Sequence, residues 1–184
     1  MNYGYKVAHL QSALVFPLAT NSVFEMKPFS VLFVCMGNIC RSPTAHGVFL
    51  HKANAIGLAQ AVEVDSAGTH NYHPGSPPDP RSQAYATKRG YDLSVLRARQ
   101  IVANDFDRFD LILVMDYDNL SLVQSICPCG QERKIRRLTE FCLTMDSPVV
   151  PDPYYGGGNG FDQVLDLVED ACEGLMRYVK DQIQ

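Results

Sequence analysis

The sequence predicts an α/β domain: a four-stranded parallel sheet with helices on both faces and an anion-binding loop directly after the first strand. Three observations carry this prediction. Residues 31–34 and 111–115 are unbroken apolar runs, the composition of strands covered on both faces. Apolar residues recur at helical spacing between and after those runs, and strand alternating with helix is the pattern of right-handed crossovers over a parallel sheet. The first run also ends in Cys35-Met36-Gly37-Asn38-Ile39-Cys40-Arg41-Ser42-Pro43, a short loop that closes on helix-start signals.

Taken in order, residues 1–29 are expected to be an N-terminal extension, either disordered or the product of a mispredicted start, ahead of one domain spanning residues 30–184. Lys6 and the apolar stretch 13–19 only faintly imitate a secretory signal, because Gln11 and Ser12 interrupt it and Pro17 breaks it. The first strand then runs into the loop. Gly37 and Asn38 are the residue types that tolerate a left-handed backbone, so consecutive amides can turn toward one point. Ser42 and Pro43 read as the N-cap and first residue of a helix. Inward amides and a helix N-terminus attract a tetrahedral dianion, and the planar fork of Arg41 can hold two of its oxygens. The same field favours the thiolate of Cys35, a nucleophile, and Ser42 can donate a hydrogen bond to that sulfur. No G-K-S/T follows the glycine, which excludes a nucleotide-binding Walker loop.

Ala45, Val48, Phe49, Ala53 and Ile56 give the first helix, ended by Gly57. His46 and His51 lie on it without carboxylate or cysteine neighbours at ligand spacing, so they are read as solvated or packing residues. Residues 61–66 alternate as a second strand, and residues 68–78, dense in Gly, Pro, Asn and His, are expected to be a functional rim. Asp79 and Pro80 start a helix that runs to Gly90. In the connector 91–100, Arg97 and Arg99 are expected to be solvated and to add a basic rim. Asn104 and Asp105 cap a short turn, and the third strand ends at Met115 with Asp116 as an N-cap and supporting residue. Residues 120–126 continue that helix up to Cys127-Pro128-Cys129, read as free thiols rather than a metal site. Residues 135–138 are a candidate edge strand, and residues 161–183 a closing helix.

A thiolate and an arginine make a phosphate site, but turnover also needs a proton for the departing oxygen. Pro151-Asp152-Pro153-Tyr154-Tyr155 supplies the candidate, with two prolines pinning the backbone around Asp152. Residues 34–43 resemble the signature loop of the low-molecular-weight protein tyrosine phosphatases, C-x-G-N-I-C-R-S-P, nearly letter for letter. Residues 152–155 resemble that family's D-P-Y-Y motif, which carries the general acid. Asp65-Ser66, Pro78-Asp79-Pro80-Arg81 and Met115-Asp116, followed by a helix with Asn119-Leu120, match further family motifs without a gap between the first two.

The resemblance implies a phosphotyrosine phosphatase working through a phosphocysteine intermediate, with Cys35 as nucleophile, Arg41 as phosphate clamp and Asp152 as acid. It implies substrate binding by Met36, Gly37, Asn38, Ile39, Cys40 and Ser42 of the loop, with Asn38 holding the loop in shape. Tyr72, Tyr154 and Tyr155 are expected to line a cleft deep enough for a phenyl ring and to disfavour phosphoserine. It further implies reversible inactivation through a Cys35–Cys40 disulfide, and neither cofactor nor metal. The expected partners are a phosphotyrosine protein, by fold-level analogy a tyrosine kinase, and inorganic phosphate or a similar oxyanion.

Length and composition bound the rest. At 184 residues, 46% of them hydrophobic, the chain can bury one sizeable core. A formal net charge of -4 gives no general attraction to nucleic acid or to an acidic membrane, and no apolar run approaches a membrane span. Six scattered cysteines and a mechanism needing a free thiolate point to a reducing compartment, so the cytoplasm is expected. Two alternatives stay open at this point. One is an arsenate reductase on the same scaffold, disfavoured because Met115-Asp116 occupies the place of its redox cysteines. The other is a non-catalytic phosphotyrosine-binding module, disfavoured by an intact Cys35, Arg41 and Asp152.

Overall fold

The structure, a computed structural model, describes residue 1 and residues 27–154 and 159–183. The expected N-terminal extension, apart from Met1, Lys27, Pro28 and Phe29, and the candidate Tyr155 lie outside the described residues. Four strands, β1 (Phe29–Cys35), β2 (Val62–Gly68), β3 (Leu111–Val114) and β4 (Ile135–Arg137), form one sheet in the order β2-β1-β3-β4. Every neighbouring pair is parallel. Each strand after the first is therefore reached by a crossover, and the helices α1 (Arg41–Ala55), α2 (Pro80–Lys88), α3 (Asp105–Arg108), α4 (Tyr117–Ser125) and α5 (Gly160–Gln182) supply them or close the chain. Among the described residues, no helix is long and apolar enough to cross a membrane.

Strand periodicity divides the core in two. Val31, Phe33 and Cys35 of β1, with Leu111 and Leu113 of β3, point to one face and pack against α1 and α5. Leu32 and Val34, with Ile112 and Val114, point to the other and pack against Phe106 of α3 and Val123 of α4. This is why both runs read as continuously apolar. Residues 31–34 have no exposed surface at all, which also explains why the chain shows little alternation there.

Several sequence expectations change, beyond small shifts such as the third strand ending at Val114 rather than Met115. β2 continues to Gly68 rather than stopping at Ser66, because it pairs with β1 along its whole length, Cys35 opposite Gly68. α1 begins at Arg41 with Cys40 as its N-cap, and no side chain caps it. Ser42 is not the cap because its hydroxyl is used inside the loop. Arg99 is not a solvated rim charge: its guanidinium bridges Asp65 (Nη2 to Oδ2, 2.9 Å) and Asp105 (Nη1 to Oδ2, 2.9 Å), tying the connector to β2 and α3. Arg97 instead donates to the carbonyls of Ser94 and Leu96, both at 2.7 Å.

His46 has a packing role with a consequence for stability. It is buried, and its Nδ1 has no hydrogen-bond partner. Burial pushes its imidazole down to about 4, with Asp65 opposing. The folded protein holds this ring neutral, whereas the unfolded chain binds a proton on it below its ordinary value of 6.5. The depressed value means that this contribution is fully present above pH 6.5 and is lost as pH falls toward 4. The loss amounts to at most about 3 kcal/mol. His46→Leu is expected to flatten that pH dependence in urea unfolding between pH 7 and pH 4.5, and an unchanged slope would contradict it.

Candidate active site

Cys35 ends the central strand at the point where the chain crosses to β2 on one side and to β3 on the other, the switch point at which open parallel sheets hold ligands. The loop after it is shaped by its carbonyls. Those of Cys35, Met36 and Ile39 accept hydrogen bonds from the amides of Thr69 (2.8 Å), His70 (3.0 Å) and Asp79 (2.7 Å), and that of Cys40 accepts from Thr44 Oγ1 (2.7 Å). In a trans peptide the N–H points away from its own C=O. Turning these carbonyls outward therefore aims the amides of Met36, Gly37, Cys40 and Arg41 into the loop.

Asn38 makes the turn. Its φ of 55° is the left-handed region that asparagine tolerates, and its side chain fixes the result. Nδ2 donates to Ser42 Oγ and Ser66 Oγ, both at 2.9 Å, while Oδ1 accepts from the Arg99 amide at 2.9 Å. Ser42 Oγ lies 3.1 Å from Cys35 Sγ and 3.2 Å from the Ala67 carbonyl, so its one proton can serve either acceptor. Gly68 completes the support: a Cβ there would sit 2.8 Å from the Met36 carbonyl and 2.9 Å from that of His70. The end of β2 can press against the loop only because that residue has no side chain.

Arg41 is 2% exposed and makes three side-chain hydrogen bonds. Nη1 donates to Asp116 Oδ2 at 2.5 Å and to the Val150 carbonyl at 3.1 Å, and Nη2 donates to Asp152 Oδ2 at 3.1 Å. Burial pulls its guanidinium down, but the negative charges of Cys35, Asp116 and Asp152 outweigh it and leave the group raised above its ordinary value. The cation is thus secure. Asp116 does two jobs, since its Oδ1 also caps α4 by accepting from the Asn119 amide at 2.7 Å. Asp152 is held from both sides, its Oδ1 accepting from the Tyr154 amide at 3.0 Å.

Cys35, Arg41 and Asp152 meet in one cleft of about 320 Å³. Met36, Gly37, Ile39 and Cys40 line it from the loop, Tyr72 and His73 from the rim segment, and Tyr154 from beside the acid. Asn38 and Ser42, expected to bind substrate, instead lie buried behind the loop and position it. His73, which sequence reasoning did not single out, joins the wall because the rim segment folds back over Gly37. Tyr72 is exposed and stacks on His70, with ring centroids 4.8 Å apart. The Arg81 guanidinium sits over the Tyr154 ring at 5.0 Å and over Phe161 at 4.8 Å, fixing that side of the mouth. Burial pushes the Cys40 thiol up to about 12, with Asp79, Cys35 and Asp152 adding to it and a hydrogen bond to Ser82 opposing. Cys40 is therefore a neutral thiol beside the ion pairs. Among the described residues no group of three or more His, Cys, Asp or Glu could hold a metal ion.

A thiol in an amide-lined loop, a buried arginine and a carboxyl across one cleft define a class: an α/β protein built to receive a tetrahedral oxyanion against a cysteine. The family model described as low molecular weight phosphotyrosine protein phosphatase matches residues 30–184, and the chain belongs to that family of low-molecular-weight protein-tyrosine-phosphatases. A low molecular weight protein-tyrosine-phosphatase of Streptomyces coelicolor is 40% identical over 159 residues, covering 85% of this chain and 96% of the relative. The crystal structure of a protein tyrosine phosphatase from Entamoeba histolytica with Hepes in its active site is 41% identical, with a TM-score of 0.81 over 84% of this chain and 98% of that one. The crystal structure of YfkJ from Bacillus subtilis gives a TM-score of 0.82 at 36% identity, over 86% and 99% of the two chains.

Proposed function

We propose that this protein hydrolyses phosphotyrosine monoesters on proteins through a phosphocysteine intermediate on Cys35. The observation that carries the reading is the meeting of Cys35, Arg41 and Asp152 in one cleft. The Cys35 thiolate attacks phosphorus in line, the bond to the tyrosyl oxygen breaks, and Asp152 gives that oxygen its proton. Arg41 and the inward amides stabilise the charge on the equatorial oxygens. A phosphate dianion competes with Asp152 for Arg41 Nη2, which frees the carboxyl to turn toward the leaving oxygen. Water then attacks phosphorus, Asp152 takes its proton, and the sulfur–phosphorus bond breaks to release inorganic phosphate. The apolar faces of Met36, Ile39, Tyr72 and Tyr154 suit a phenyl ring, which is long enough to bring its phosphate to the sulfur where serine is not.

Asp152→Ala tests this assignment. Its kcat on phosphotyrosine peptides is expected to fall by about 10²–10⁴-fold, with slow release of a bound phosphoprotein. Unchanged turnover would remove Asp152 from the mechanism. Arsenate reduction is less well supported, because Cys127 and Cys129 follow the far end of α4, whose N-terminus is the end held at Arg41 by Asp116. Nine helical residues put roughly 14 Å between them and the site.

Two regulatory and cellular readings belong with this function. Peroxide would oxidise the Cys35 thiolate to a sulfenic acid, and the Cys40 thiol, lining the same cleft, would displace water to form a disulfide that a dithiol reduces back. Wild-type activity is expected to return on reduction after peroxide, and that of Cys40→Ser is not. Equal recovery of the two would overturn the reading. Dependence on a free thiolate supports a cytoplasmic location, and fractionation into an oxidising compartment would contradict it.

A further inference from the structure

A second cleft, of about 380 Å³, adjoins the first and is unused by the chemistry described above. Met36 lines both. The stacked pair of rings continues the partition, with Tyr72 facing the catalytic cleft and His70 the other. The remaining lining comes from α4: Asp118, Asn119, Ser121 and Leu122. Asp118, in the first turn of α4, carries no ion pair among the described residues. Asn119 is 1% exposed and its Oδ1 finds no hydrogen-bond partner. Leu122 and Met36 are both substantially exposed, offering apolar surface beside the Asp118 carboxylate.

An exposed carboxylate and a hydroxyl next to exposed apolar side chains suit a long stem with a cationic, donor-only head. We infer that the cleft between Met36 and α4 seats an arginine or lysine side chain of the substrate, close in sequence to the phosphotyrosine. This rests on the phosphatase reading and specifies its substrate class. An extended peptide advances about 3.3 Å per residue, so a chain with its phosphotyrosine in the first cleft crosses Met36 within a residue or two. A flanking basic side chain then reaches Asp118 while its stem covers Leu122. An acidic one meets a carboxylate of like charge.

The test compares kcat/KM for synthetic phosphotyrosine peptides with Arg, Ala or Glu at each of the two positions on either side, alongside p-nitrophenyl phosphate. At one of these positions, Arg is expected to exceed Glu by about five- to tenfold. That ratio is expected to fall below about twofold in Asp118→Asn and in 0.5 M salt, and to invert in Asp118→Lys. Because it is a ratio within each variant, a general loss of activity does not affect it. No preference at any position, or one that survives both Asp118→Asn and high salt, would overturn the inference. A wild-type protein that fails to turn over p-nitrophenyl phosphate would overturn the phosphatase reading instead.

Discussion

Cys35→Ser is expected to lower the turnover of p-nitrophenyl phosphate by roughly 10⁴-fold or more while leaving the site able to bind an oxyanion. The reason lies in what the loop can and cannot supply. Inward amides and Arg41 can hold an oxyanion whichever atom residue 35 carries, but a serine hydroxyl is a far poorer nucleophile and leaving group than a cysteine thiol. Those amides are set by backbone bonds from Thr69, His70 and Asp79, none of which involves the sulfur. Calorimetric titration with phosphate or vanadate should therefore still give binding. Retained turnover within about tenfold of wild type would show that the nucleophile is not Cys35.

The next largest effect is expected at Arg41. Arg41→Lys replaces a planar fork, bonded at once to Asp116, the Val150 carbonyl and Asp152, by a single point charge that cannot span those directions. Its kcat/KM is expected to fall by about 10²–10³-fold. Arg41→Ala should fall further and also lose roughly 2–4 kcal/mol of stability, because Asp116 and Asp152 would be left near each other without their cation. Steady-state kinetics and thermal melts of the two variants check this. A lysine variant with near wild-type kcat/KM would mean that the arginine holds the fold rather than the phosphate.

Much of this site is legible in the chain because its parts are local. The apolar runs, the Gly37-Asn38 turn and Arg41 beside a helix start lie within a few residues of each other, where spacing alone constrains geometry. Asp152, far downstream, is legible only because prolines mark it. What escapes is set by long-range contact. Arg99 looks like a surface charge until β2 and α3 bring Asp65 and Asp105 to it. Ser42 looks like a cap until the loop closes and spends its hydroxyl on Cys35 and Asn38. The Val150 carbonyl that orients Arg41 has no side-chain signature at all. His73 had one, a ring in a rim segment dense in turn residues, but nothing in the spacing says which ring of that segment faces inward.

The most direct test is rapid acid quenching of the wild-type protein during turnover of a ³²P-labelled phosphotyrosine peptide, followed by mapping of the label. Label is expected on the peptide that carries Cys35 and is lost when Cys35 is changed to serine. Phosphate released without ever appearing on Cys35, or label found on another residue, would contradict it.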